Sequence, residues 1–268
     1  MKQLLSYASS FAICAMTAGS VQAASVNISL VYEEPTDFSS AVMGVLDMAV
    51  ELFSTGLGGY LDDLGAFAGP TITVATKATS DGLFGNLASG GWITPIFGTN
   101  YAYTDTARVE FDAVDMQYAE DNGGLEVFGL VALHEIAHAM GFGLLWNVPG
   151  YQQLYDEGNF AFTGAAAVAA YQASCDAGAT FVPVEDEGGS GTVGSHWDED
   201  WACGGNDILT GTFESIDPTY YQASAPTQAV WADMGYSLAT TAVPVPATLG
   251  LLASGMGLFG LMRRRKQG

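Results

Sequence analysis

Between Gly124 and Phe142 the chain is apolar nearly all round a helix, with Leu125, Phe128, Leu130, Val131, Leu133, Ile136, Ala137 and Met140 on every side. A helix with no polar face must lie at the centre of its domain, so the rest of the fold has to be built around it. The same segment nevertheless contains His134, Glu135 and His138. Ionisable groups in such a position are tolerated only when they are paired or bound to a metal. The helix is expected to stop at Gly141, with Gly143 close behind.

His134 and His138 are four residues apart, which puts them on one helix face with Cβ atoms about 5–6 Å apart, a spacing that suits two imidazoles converging on one ion. Glu135 falls beside them, placed to act as a general base on a metal-bound water instead of as a ligand. Zinc fits three neutral nitrogens and an open water position, and lowers the pKa of that water to about 7. The plainer alternative is two helix histidines with ordinary hydrogen bonds. A third protein ligand is needed, and the remaining histidine of the chain is His196, in Gly194-Ser195-His196-Trp197-Asp198-Glu199. One three-histidine site is the simplest account, with a carboxylate as the rival third ligand.

Charge narrows the class of partner. The 268 residues include 29 acids against seven Lys plus Arg, a formal charge of -22. Five of those bases are Lys2, Arg263, Arg264, Arg265 and Lys266, so the body from about Ala24 to Ala242 sets all 29 acids against Lys77 and Arg108, a formal -27. No basic patch exists to displace counterions from a nucleic acid or an anionic membrane surface. With 13% charged and 12% aromatic residues and 34 glycines, the body reads as a compact, loop-rich globule and not as an acidic disordered chain.

The two ends read as addresses. Residues 1–23 have a lone Lys2, an apolar stretch around Phe11 to Ala18, and Val21-Gln22-Ala23 with small residues at the -3 and -1 positions. This is the pattern of a secretory signal peptide cleaved after Ala23, with a buried N-terminal helix as the alternative. Residues 243–268 run Val243-Pro244-Val245-Pro246-Ala247-Thr248, then Leu249 to Met262, then Arg263-Arg264-Arg265-Lys266. The 20 apolar residues from Val243 are just long enough to span a bilayer, and the basic cluster marks the cytoplasmic end. The segment resembles the PEP-CTERM sorting tail of exported bacterial proteins, which an exosortase recognises and removes. It has Val245 where the eponymous motif has Glu, and so is nearer the Val-Pro-Leu-Pro-Ala variant; a permanent anchor is the alternative. Both readings place the body outside the cytoplasm, in the envelope or beyond. In that oxidising compartment the two cysteines of the mature body, Cys175 and Cys203, are expected to pair.

Within the body, Ser25 to Glu33 alternates as a half-buried strand, Pro35-Thr36-Asp37 offers a turn and helix cap, and Phe38 to Leu57 has helical apolar spacing. Thr71 to Thr76 and Ala107 to Phe111 read as two more strands, with the Gly-rich stretch Asp81 to Thr99 as loop between them. That order predicts an α+β fold with a small mixed sheet backed by a helix.

His134-Glu135-Ile136-Ala137-His138-Ala139-Met140-Gly141-Phe142-Gly143 resembles the start of the metzincin zinc motif. The short form places a third His where this chain has Leu144. The leishmanolysin family inserts several dozen residues first, and here 57 residues separate His138 from His196. The resemblance continues through Leu145-Trp146-Asn147, Val182-Pro183-Val184-Glu185, Ser195-His196-Trp197, Asp207-Ile208-Leu209-Thr210-Gly211 and Trp231-Ala232-Asp233-Met234-Gly235-Tyr236. It departs at Leu209, where the family has a turn Met below the zinc; Leu is apolar and close in volume, so the packing role should survive.

The resemblance implies a peptidase domain over 24–242 with an insertion at about 144–195. It implies two subdomains: an N-terminal twisted mixed sheet with two helices, the second carrying His134 and His138, and a loop-rich C-terminal subdomain delivering His196. The expected activity is hydrolysis of peptide bonds by an exported monomeric zinc endopeptidase, one zinc ion being held by His134, His138 and His196 and Glu135 acting as general base. Two alternatives stay open: a noncatalytic zinc-containing surface or matrix protein, and a zinc hydrolase acting on another acyl group. Calcium is conceivable at Asp112, Asp115, Glu185 to Glu187 and Asp198 to Asp200, but their spacing matches no calcium loop, and solvated acidic loops are the expectation.

Overall fold

The computed structural model describes residues 26–78, 82–213, 215 and 217–239, so the expected leader at 1–23 and tail at 243–268 lie outside the described residues. The first strand, β1, spans Ser29–Tyr32, the central part of the alternating segment. Pro35–Asp37 makes a single 3-10 turn, and the helix α1, Ser40–Gly56, is capped instead by Ser39, whose hydroxyl accepts the N–H of Val42. Val42, Val45, Leu46 and Ala49 form its buried stripe. Then follow β2 (Leu57–Tyr60), β3 (Thr71–Lys77), β4 (Ala88–Phe97) and β5 (Ala102–Asp112). A four-stranded mixed sheet runs in the order β1-β3-β5-β4, parallel from β1 to β5, with β4 antiparallel on the outer edge. Along β5 the alternation sends Ala107, Val109 and Phe111 into the core and leaves Arg108 and Glu110 at the surface, where Arg108 bridges Glu33 and Glu110.

The strand β4 corrects the expectation of a loop over Asp81 to Thr99. Gly90, Gly91 and Pro95 make this stretch a poor strand by composition, but an edge strand pairs on one side only, and there a proline without an N–H is accommodated.

A further helix precedes the central one. α2, Ala113–Asn122, is capped by Asp112, whose carboxylate accepts the N–H groups of Val114 and Asp115, and it ends at Gly123 in the left-handed conformation. The helix bearing the histidines, α3 (Leu125–Ala139), is therefore the third in the chain and not the second. It packs between α1 and strands β4 and β5, and every residue from Phe128 to Ala139 is buried, as its all-round apolarity requires.

The stretch between the end of α3 and His196 folds into β6 (Tyr155–Asp156), β7 (Ala161–Phe162), α4 (Ala165–Ser174) and β8 (Val182–Pro183), the three short strands pairing antiparallel. After His196 come α5 (Ala225–Asp233) and β9 (Tyr236–Leu238), which returns to pair with β2. The N-cap of α4 is Gly164, which has no side chain to offer, and Asp233 of α5 supplies the missing acceptor to the N–H groups of Ala166 and Ala167. Cys175, at the end of α4, is disulfide-bonded to Cys203, as expected. Four rings stack in a column through this half, Tyr171 on Trp201, Trp201 on Trp197 and Trp197 on Trp146.

Not all the acids are solvated as expected. Asp112 and Asp115 are buried, the latter accepting the N–H of Phe84, and Glu185 is buried with its carboxylate on the N–H of Glu187. Each accepts at least one backbone N–H, which offsets part of the cost of burial, although Asp115 Oδ2 is buried without a partner among the described residues. No described helix is long and apolar enough to cross a membrane.

Candidate metal centre

His134 and His138 project one turn apart from α3, and the chain then leaves the helix at Gly141 with φ +107°. Only glycine adopts that conformation readily, and a Cβ there would also lie 2.7 Å from Leu145 Cδ1. Gly143 is the second device. A Cβ on it would stand 2.5 Å from the carbonyl oxygen of Ser195, so the bare backbone is what lets the distant Ser195-His196 segment close against the helix end.

The result is a triangle of imidazole nitrogens. His134 Nε2 lies 3.1 Å from His196 Nε2, and His138 Nε2 lies 3.0 Å from each of them. Each ring's other nitrogen faces a backbone carbonyl: His134 Nδ1 meets Ile208 O at 2.6 Å, His138 Nδ1 meets Phe142 O at 3.0 Å, and His196 Nδ1 meets Thr192 O at 2.9 Å. A carbonyl only accepts, so each Nδ1 carries the proton and each Nε2 presents a lone pair. Three converging lone pairs with no proton between them repel one another, and a cation is what such a set is built to hold. All three lie within reach of one ion at the usual zinc to nitrogen distance of about 2.0–2.1 Å.

Protonation does not relieve the crowding. Burial, with the neighbouring His196, pushes His134 down to about 3, and burial with the other two imidazoles holds His138 well below its ordinary 6.5. His196 is also lowered by burial. Among the described residues this is the group of His, Cys, Asp and Glu side chains that can share a metal ion, and it unites the three positions expected from the sequence.

Glu135 is buried beside the triangle, with 6% of its surface exposed. Burial pushes its carboxyl up to about 8, against the opposing effects of the Lys77 charge and a hydrogen bond from the Gly90 N–H. Lys77 itself donates to Asn86 Oδ1 at 2.6 Å and to Ser89 Oγ at 3.3 Å, tying the start of β4 in place. Leu209, which follows Ile208, is fully buried, with its carbonyl accepting the N–H of Trp197. An open cavity of about 440 Å³ is bordered by Leu144 and Trp146 just after the helix and by Val193 and Gly194 just before His196.

Two contributions escaped the sequence reading. The three carbonyls that fix the imidazoles belong to Ile208, Phe142 and Thr192, and no side-chain identity announces a carbonyl. Gly90 looked like loop composition, although a Cβ there would stand 2.4 Å from the Glu135 carbonyl oxygen.

Comparison with known proteins agrees with this geometry. The profile of the peptidase family described as leishmanolysin matches residues 92–243, more than half of the chain and a span containing His134, Glu135, His138 and His196. No curated protein matches the sequence.

Proposed function

This chain belongs to the leishmanolysin family of zinc metallopeptidases, and from that premise we propose that it is an exported zinc endopeptidase in which His134, His138 and His196 hold the ion and Glu135 is the general base. The observation that carries this reading is the set of three neutral, buried imidazoles turned Nε2 to Nε2 with an ionisable carboxyl on the adjoining residue.

When bound, zinc supplies Lewis acidity, lowering the pKa of a water and polarising a carbonyl. The rest is done by the chain. Glu135 takes the proton from the attacking water and passes it to the departing amine, a role that needs the ionised carboxylate. A cation among the histidines, with Lys77 and the Gly90 N–H, favours that ionised form. The Nδ1 hydrogen bonds to the three carbonyls fix ring orientation and tautomer. Burial keeps bulk water from screening these charges.

The substrate is a protein or peptide, bound in a cleft between the sheet subdomain and the C-terminal part. With a formal -27 on the body, neutral or cationic peptides are preferred at low salt, an effect that screening limits to about 10 Å at 0.1 M. The leader at 1–23 directs export. The tail at 243–268 holds the monomer at the membrane until an exosortase-type enzyme processes it.

Digestion of casein or a peptide library, with and without a chelator and with zinc restored, tests the proposal. Cleavage that stops with the chelator and returns with zinc is the expected outcome. A zinc-loaded protein that cleaves no peptide in the library would instead support the noncatalytic reading.

A further inference from the structure

Asp207 is 2% exposed, and the salt bridges found among the described residues leave it out. Such a carboxylate must be satisfied by hydrogen bonds, and this one is. Its Oδ1 accepts the N–H of Leu209 at 2.8 Å, and its Oδ2 accepts the N–H of Ser224 and the hydroxyl of Thr227, both at 2.8 Å. All three partners are donors, so the position requires an acceptor on both oxygens. An asparagine would turn its NH₂ against one of them.

Two of the partners, Leu209 and Thr227, lead toward the histidines. Leu209 and Asp207 flank Ile208, so the hydrogen bond that closes the 207–209 turn also fixes the peptide whose carbonyl meets His134 Nδ1 at 2.6 Å. The Thr227 hydroxyl, donating to Asp207, accepts the indole N–H of Trp197 at 2.8 Å, and Trp197 follows His196 in the chain. The Trp197 N–H in turn donates to Leu209 O at 2.9 Å. Ser224 and Thr227 belong to the start of α5, which makes the helix a fixed base for the whole arrangement.

We propose that Asp207 is a positioning residue for the metal centre: one buried carboxylate sets both the Ile208 carbonyl that orients His134 and, through Thr227, the Trp197 indole that anchors His196. The inference rests on the reading of the three histidines as zinc ligands. Losing a group that orients a ligating histidine typically lowers metal affinity by about 10–100-fold.

The test compares unmodified protein with Asp207→Asn and Thr227→Val. Zinc affinity is measured by competition with a chelator, the visible spectrum of the cobalt-substituted forms is recorded, and the unfolding of each metal-free form is followed. Thr227→Val keeps the side-chain volume while cutting the link to Trp197, so it decides the matter if Asp207→Asn does not fold. Expected are zinc binding weakened by about 10–100-fold in Asp207→Asn and less in Thr227→Val, with a shifted cobalt spectrum in both. Unchanged affinity and spectrum would overturn the proposal, as would an affinity loss no larger than the fraction of metal-free protein that has unfolded. Failure of the unmodified protein to bind zinc would instead remove the ligand reading, and this inference with it.

Discussion

Gly90 in the edge strand lies directly against Glu135 in the central helix: a Cβ at residue 90 would stand 2.4 Å from the Glu135 carbonyl oxygen and 2.9 Å from its Oε2. Strand and helix meet there with no room for a side chain. Gly90→Ala must therefore push β4 off the helix or displace Glu135. A displacement of about 1 Å at a reacting group costs on the order of 10²-fold in rate. Gly90→Ala is expected to lose turnover by about that factor while the zinc content of the purified protein stays near that of the unmodified chain. Full turnover in the variant would show that the close approach has no bearing on catalysis.

The disulfide closes a sequence separation of 28 residues and joins the end of α4 to the loop two residues beyond Trp201. Trp201 stacks between Tyr171 of α4 and Trp197, so the crosslink holds one end of a column that includes Trp197, the residue after His196. Replacing both cysteines by alanine is expected to cost roughly 3–4 kcal/mol, measured by denaturant unfolding. Mild reduction should also speed zinc release into a chelator. Identical release rates before and after reduction would separate the crosslink from the metal site.

The sequence was legible where a residue type has few excuses. An all-round apolar helix could only be central, its two histidines and glutamate could only be functional or expensive, and a chain with three histidines left His196 as the natural third ligand. Cys175 and Cys203, the two cysteines outside residues 1–23, pair as expected. The alternating segments at β1, β3 and β5 were visible, since one face of each is buried. What escaped depends on distance in three dimensions. Gly90 and Gly91 resemble loop until Glu135 is seen against the first and Leu144 beside the second. α2 carries only two buried residues, Asp115 and Met116, too few for a helical stripe to be read. Asp112 and Glu185 looked solvated because the backbone donors they accept come from the fold and not from composition.

In metal-free protein the buried Glu135 should leave a signature in stability against pH. Its folded value is raised from 4.5 to about 8 by burial, against the Lys77 charge and the Gly90 N–H. A raised folded value means that the stability it contributes is fully present below 4.5 and is lost as pH rises through about 8. The variant Glu135→Gln removes that titration. The stability of the metal-free unmodified protein should therefore fall relative to the variant across that window, by several kcal/mol, in chemical unfolding at a series of pH values. Parallel curves would show that Glu135 is not held in the environment described. Restoring zinc should shrink the difference, because a neighbouring cation favours the carboxylate.

The central claim is that the three histidines hold the ion and Glu135 moves the proton, and purified Glu135→Gln separates those roles most directly. Its zinc content and its rate of peptide hydrolysis are measured side by side with the unmodified protein and with His196→Ala. Glu135→Gln should keep one zinc per chain and lose at least about 10²–10⁴-fold in hydrolysis, the range a general base supplies, whereas His196→Ala should lose both metal and hydrolysis. Undiminished hydrolysis by zinc-loaded Glu135→Gln would contradict the account.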